Sequence, residues 1–206
     1  MSQNNSGGHT LAETLSQPQV WAKCLAEVAE NAALRAISQR FASGAEVLFL
    51  GCGSSYYLAQ SAAAAWPMIS GLRAKAAPAS EMLLFAETLL AGAPELVPVL
   101  ISRSGKTTEV LRAAEYLEGT RGIRTLGITC SPGQPLLQVS SATICLPAAD
   151  EQSTVMTRSF SSMLLTCQAI AAIVAGNDSM LQALRRLPSL AEPLPSALHA
   201  RILEFV

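Results

Sequence analysis

Short apolar runs and helical periodicities alternate along the chain. The runs at 46–50, 72–76, 96–101, 124–129 and 143–146 have the length of strands. The runs Val47-Leu48-Phe49-Leu50 and Val97-Pro98-Val99-Leu100-Ile101 are apolar at every position, the mark of strands covered on both faces. Apolar residues at Val20, Trp21, Cys24, Leu25, Val28, Ala32, Leu34 and Ile37 predict one amphipathic helix over 18–42, with Pro18 in its first turn and Ser43-Gly44 ending it. Further helices are expected through Tyr57, Leu58, Ala62 and Ala65, at 80–85, 107–117, 160–174, 179–187 and 197–205, with a helical turn at 135–139. Pro188, Pro193 and Pro195 read as breaks between the last two. A short helix and connection precede residue 20, and the polar start 1–8 reads as a disordered tail. Strand, turn and helix repeating in this way specify a three-layer α/β/α sandwich around a mainly parallel five-stranded sheet.

Composition narrows what such a domain does. Half of the 206 residues are hydrophobic and 14% are charged, more apolar material than a lone domain needs. The surplus points to a homodimer or larger assembly, or to a missing partner domain. The net charge is −1 and no basic run exists, which argues against nucleic acid and against charged membrane surfaces. No apolar stretch has membrane-spanning length, and the N-terminus lacks a signal-peptide core. Five cysteines, odd in number and widely spaced, suit reduced thiols in a cytoplasm. No metal-ligand spacing is present, and the only histidines are His9 and His199.

The chemistry concentrates at strand-to-helix turns. Ser102-Arg103-Ser104-Gly105-Lys106-Thr107-Thr108-Glu109 puts four hydroxyls, a glycine and a lysine where a helix begins. Helix N-termini offer unpaired N–H groups and partial positive charge, and hydroxyls add neutral donors, so the stretch suits a phosphate. Gly105 would give a ligand room to approach the backbone. The structural alternative is a hydroxyl acting as an N-cap and nothing more. Gly51-Cys52-Gly53-Ser54-Ser55 forms a second turn of the same kind. It lacks the third glycine of a dinucleotide fingerprint, because Tyr56 holds that place, and no phosphate-binding P-loop occurs, so no nucleotide cofactor is expected. A third stretch, 150–160, follows the last strand; Ser153, Thr154 and Thr157 there suit a polyol, while Thr157 or Ser159 equally suits a helix cap. In an open α/β sheet all three would meet at the carboxyl edge of the strands. Glu81 reads as a helix-dipole partner, and Cys52 as a small residue in a tight turn rather than a nucleophile.

Taken together, Leu48-Phe49-Leu50-Gly51-Cys52-Gly53-Ser54-Ser55, Ile101 through Glu109 and Val155-Met156-Thr157-Arg158-Ser159-Phe160 resemble the sugar isomerase (SIS) domain, a flavodoxin-type fold. Their order resembles the first of two such domains in phosphosugar isomerases, including the tagatose-6-phosphate ketose/aldose isomerase group and the isomerase half of glucosamine-6-phosphate synthase. The resemblance implies phosphate contacts at Ser55, Ser102, Ser104 and Thr107. It implies a sugar side lined by Cys52, Gly53, Ser54, Val155 and Thr157, with Arg103 contributing through its backbone N–H. It further implies aldose–ketose isomerisation or deamination of a hexose or hexosamine 6-phosphate. The family's glutamate, histidine and lysine come from a second domain, and nothing in this chain matches them. Residues 1–17 are thus expected to be tail and lead-in, and 18–206 one SIS domain whose companion is absent from this chain. A non-catalytic sugar-phosphate sensor is the alternative; Glu13, Glu27 and Glu30 balance Lys23, Arg35 and Arg40, so it would not be a DNA-binding one. A purely structural half of a dimer is a third possibility.

Overall fold

Five strands run parallel in the spatial order β2-β1-β3-β4-β5: β1 is Glu46–Gly51, β2 Ala74–Pro78, β3 Leu96–Ile101, β4 Leu126–Thr129 and β5 Ala142–Cys145. The structure, a computed structural model, describes residues 8–32, 34, 39–41, 45–92, 95–194 and 197–198. The sandwich expected from the alternating pattern is therefore present, and its sheet is wholly parallel.

Burial explains the unbroken apolar runs. Val47 and Phe49 of β1 point into one core, Leu48 and Leu50 into the other. In β3, Val97, Val99 and Ile101 face the first core, Leu96 and Leu100 the second. A strand covered on both sides has no position left for a polar residue. Helices α2 (Gln17–Glu30), α3 (Ser54–Ser70), α8 (Arg158–Val174) and α9 (Asp178–Ala191) supply the first core. On the opposite face lie α4 (Ala79–Leu84), α6 (Thr108–Glu115) and α7 (Leu136–Val139). Trp66 anchors the first core, its ring 5.4 Å from that of Phe41 and 5.5 Å, edge-on, from that of Phe49. Such aromatic pairs contribute about 0.5–1.5 kcal/mol beyond burial. The short helix α5 (Ala86–Leu90) packs Ala86, Leu89 and Leu90, half-buried, against the second core, whereas the short helix α1 (Gly8–Leu15) adds no residue to either.

Two helix expectations need correction. The helix expected over 18–42 stops at Glu30, because Asn31 takes an extended conformation at φ −69°, ψ 113°. Its amide is used elsewhere: Nδ2 donates to Thr143 O at 3.3 Å, and Oδ1 accepts from Leu34 N at 3.1 Å. The helix expected to close at Leu187 instead continues as α9 through Pro188 to Ala191. Pro188 removes one N–H, but it lies in the last turn, where Glu192 N still donates to Pro188 O at 3.0 Å. The stop at Ser43-Gly44 lies outside the described residues, as does most of the expected terminal helix, His199 included.

Candidate functional site

The strand order reverses between β1 and β3. The chain leaves β1 for β2 on one side, and β3 for β4 and β5 on the other. Loops leaving the carboxyl ends of these two neighbours diverge and open a crevice. The turn after β1 is built by two glycines. A Cβ on Gly51 would stand 2.5 Å from Ser55 O, so only glycine lets α3 start this close to the strand. Gly53 has φ +54°, a conformation that side chains disfavour. Ser55 N donates to Cys52 O at 3.0 Å, closing the turn. Ser55 is buried, with its hydroxyl 3.9 Å from Met156 Sδ, whereas Gly53 and Ser54 are exposed at the mouth.

The turn after β3 is held by its own hydroxyls. Ser102, 1% exposed, lies beneath the surface, and its Oγ accepts from Gly105 N at 3.1 Å. The same Oγ meets Thr107 Oγ1 at 2.9 Å. Ser104 Oγ accepts from Lys106 N at 3.4 Å, and Lys106 itself is exposed. Gly105 has φ +63°, and a Cβ there would meet Gln134 Cβ at 2.7 Å and Thr129 Oγ1 at 2.8 Å. Its glycine is thus required by the turn and its packing, rather than by room for a ligand. α6 begins at Thr108, so the free N–H groups of its first turn open beside the Thr107 hydroxyl.

The third loop is organised by a carboxylate that the hydroxyl pattern does not reveal. The Glu151 side chain is fully buried. Its Oε1 accepts from Thr157 N at 2.8 Å, from Thr157 Oγ1 at 2.6 Å and from Ser159 N at 3.2 Å. Its Oε2 accepts from Ser159 Oγ. The start of α8 is therefore capped by Glu151, and Thr157, expected as cap or ligand contact, makes no side-chain cap of its own. Arg103 turns its guanidinium to this loop: Nη1 donates to Ser153 O at 2.9 Å and lies 3.8 Å from Glu151 Oε2. On the other side, Arg103 O accepts from Thr129 Oγ1 and from Cys130 N, each at 3.0 Å. Arg103 thus joins the second turn to the third, and Met156 joins the third to the first. Val155 stands 64% exposed.

Burial, and after it the charge of Glu109, pushes the Cys52 thiol up, so it stays protonated near neutrality and is a poor nucleophile. Burial likewise raises Cys24 to about 11 and Cys167 to about 12. Among the described residues no group of three or more His, Cys, Asp or Glu side chains is placed to hold a metal ion, and no helix is long and apolar enough to cross a membrane.

The three turns expected to meet do meet. Sequence reasoning missed the groups that hold them, Glu151 and, from α1, Glu13. The signal was slight: an acidic residue a few positions before a helix start.

Residues 41–174, well over half of the chain, match the model of the SIS domain. Glutamine--fructose-6-phosphate aminotransferase [isomerizing] of Aeropyrum pernix is 26% identical over 195 residues, covering 94% of this chain and 31% of the relative. The tagatose-6-phosphate ketose/aldose isomerase of Escherichia coli superposes with a TM-score of 0.74 at 20% identity, over 96% of this chain and 56% of that one. Glucosamine-6-phosphate deaminase of Thermotoga maritima is 32% identical with a TM-score of 0.57, over 81% of this chain and 54% of that one. The chain thus spans about a third of that curated relative and about half of those two structures. With the expected order of turns on a wholly parallel sheet, this chain belongs to the SIS domain family.

Proposed function

We propose that the crevice binds a hexose or hexosamine 6-phosphate as the sugar-phosphate half-site of an isomerase or deaminase. The observation that carries this reading is the Ser102–Thr107 hydroxyl pair beneath the first turn of α6. A buried hydroxyl already accepting a backbone N–H can donate its proton to Thr107 Oγ1, which leaves the Thr107 proton to a ligand. Ser104, Thr107 and the N–H groups of α6 then hold the phosphate oxygens, with Ser55 beside them. Cys52, Gly53, Ser54, Val155 and Thr157 border the sugar. Arg103 fixes the geometry between the two groups of residues. The relatives support the class of ligand, since their names specify fructose, tagatose and glucosamine 6-phosphates.

This site binds and orients. Isomerisation or deamination needs a base at the sugar C1–C2 bond. A protonated Cys52 and a Glu151 whose oxygens already accept four hydrogen bonds do not supply one. That observation also favours the second reading, a sugar-phosphate sensor. Calorimetry with fructose 6-phosphate tests the binding: the double variant Ser104→Ala, Thr107→Ala should lose it, and unchanged affinity would overturn the assignment. Incubation of the bound complex then measures turnover. Formation of an aldose 6-phosphate identifies an enzyme, whereas binding without turnover is the result expected both of a half-site whose base comes from elsewhere and of a sensor.

A further inference from the structure

Helix α1 is attached by an unusual residue. Among its eight residues only Glu13 is buried, at 4% exposure. Leu11 and Leu15 stand 46% and 36% exposed, so the helix is not docked by an apolar face. Burying a carboxylate is costly unless hydrogen bonds replace its water. They are present, and all come from one place. Oε1 accepts from Gln152 N at 2.7 Å and from Ser153 N at 3.3 Å, and Oε2 accepts from Ser153 Oγ. Burial by itself would raise this carboxyl, but these bonds, with Arg158 nearby, outweigh it and hold Glu13 below the usual range. Arg158 Nη1 also donates to Ser16 Oγ at 3.1 Å, just past the end of α1.

The held segment is the loop that borders the sugar. The segment whose Gln152 and Ser153 N–H groups donate to Glu13 also carries the Ser153 carbonyl, which accepts from the Arg103 guanidinium of the phosphate turn. Two residues further on is the exposed Val155. Glu13, Ser153 and Arg103 therefore form one continuous chain from α1 to the phosphate cradle.

We propose that Glu13 is a positioning residue for the sugar-facing loop, which makes α1 a working part of the ligand site rather than a lead-in. The proposal rests on the sugar-phosphate reading above. Its physical content is selective. Inorganic phosphate needs only the turn at 102–107, whereas a sugar phosphate needs the 151–157 loop in place as well.

The test measures both ligands on wild type, Glu13→Gln and Ser153→Ala by calorimetry, with amide hydrogen exchange on the free proteins. In Glu13→Gln, the fructose 6-phosphate Kd should rise about tenfold, the effect of one charge-assisted hydrogen bond. The Kd for inorganic phosphate should stay within about twofold, because that ligand makes no use of the loop. The amides of Gln152 and Ser153 should lose protection while those of α2 and α8 keep theirs. Equal weakening for both ligands, or no weakening for either, overturns the proposal. Should Glu13→Gln fail to fold, Ser153→Ala decides by the same ratio of ligands, since it removes the hydroxyl that donates to Glu13 and otherwise bonds, among the described residues, only to Val155 O, at 3.0 Å in the same loop. A wild-type protein that binds no fructose 6-phosphate overturns the underlying reading and the role of Glu13 with it. Wild-type binding that the variants leave intact overturns the role of Glu13 alone.

Discussion

Ser102 Oγ and Thr107 Oγ1 lie 2.9 Å apart across the turn that ends β3, with Ser102 1% exposed and Thr107 half-buried above it. The buried hydroxyl orients the outer one. Thr107→Val keeps the shape and removes the donor, so it should weaken fructose 6-phosphate binding about ten- to hundredfold; it also leaves the buried Ser102 hydroxyl without its acceptor and should destabilise the fold by about 1–3 kcal/mol. Ser102→Ala should destabilise the fold by about 1 kcal/mol, because Gly105 N loses one of its two acceptors, and should weaken binding less than Thr107→Val, because Thr107 keeps its hydroxyl. Calorimetry paired with urea melts checks both. A larger loss of binding in Ser102→Ala than in Thr107→Val would contradict this division of roles.

Lys106 is the exposed cation of the turn, and it sits just before a helix N-terminus, an unfavourable place for positive charge unless an anion is near. We expect Lys106→Met to cost less affinity than Ser104→Ala at physiological salt. Raising the ionic strength should weaken the wild type only slightly, since screening acts mainly on exposed charges. Abolished binding in Lys106→Met beside a nearly silent Ser104→Ala would show an ordinary cationic site.

Glu118 ties the starts of β4 and β5 together. Its carboxylate accepts from Thr125 N at 2.7 Å, Thr125 Oγ1 at 2.8 Å, Ser141 N at 2.8 Å and Ser141 Oγ at 2.6 Å. Burial opposes its charge, but these bonds prevail and hold the carboxyl below the ordinary value of 4.5. A depressed folded pKa means stability that is fully present above the unfolded value and lost as pH falls through the lower folded one. Glu118→Gln should therefore be less stable than wild type at neutral pH, by about 1–3 kcal/mol for the buried Thr125 N–H left with a poorer partner. The gap should narrow below pH 4.5. A gap that stays constant down to the acid transition would rule out this role.

The apolar surplus of the sequence reaches the surface at the end of α4, where Leu84 and Phe85 are 72% and 60% exposed. Light scattering at micromolar concentration should give a dimer or larger species, and Leu84→Ser with Phe85→Ser should shift it toward monomer. A wild-type monomer would show that these side chains need another cover.

Much of the fold was legible because its signals are local. A strand buried on both faces must be apolar at every position, and Val97 through Ile101 is. Hydroxyls bunched between an apolar run and a helical period mark an anion-competent turn from one window of sequence, and Ser102, Ser104 and Thr107 do share that turn. What escaped was long-range. Asn31 ends α2 because its side chain finds a carbonyl 112 residues away, on β5, and apolar spacing carries no trace of that partner.

The sequence by itself determined the layers, the parallel strands and the three turns, since each follows from periodicity and from the backbone needs of residues close in the chain. Only the tertiary structure decided what holds the turns against one another. Arg103 bonds a carbonyl 50 residues on, and Glu13 bonds a loop about 140 residues on. The physical reason is that a buried charge takes whichever donors the packed layers bring to it, and any of the chain's acidic residues could have been the one buried.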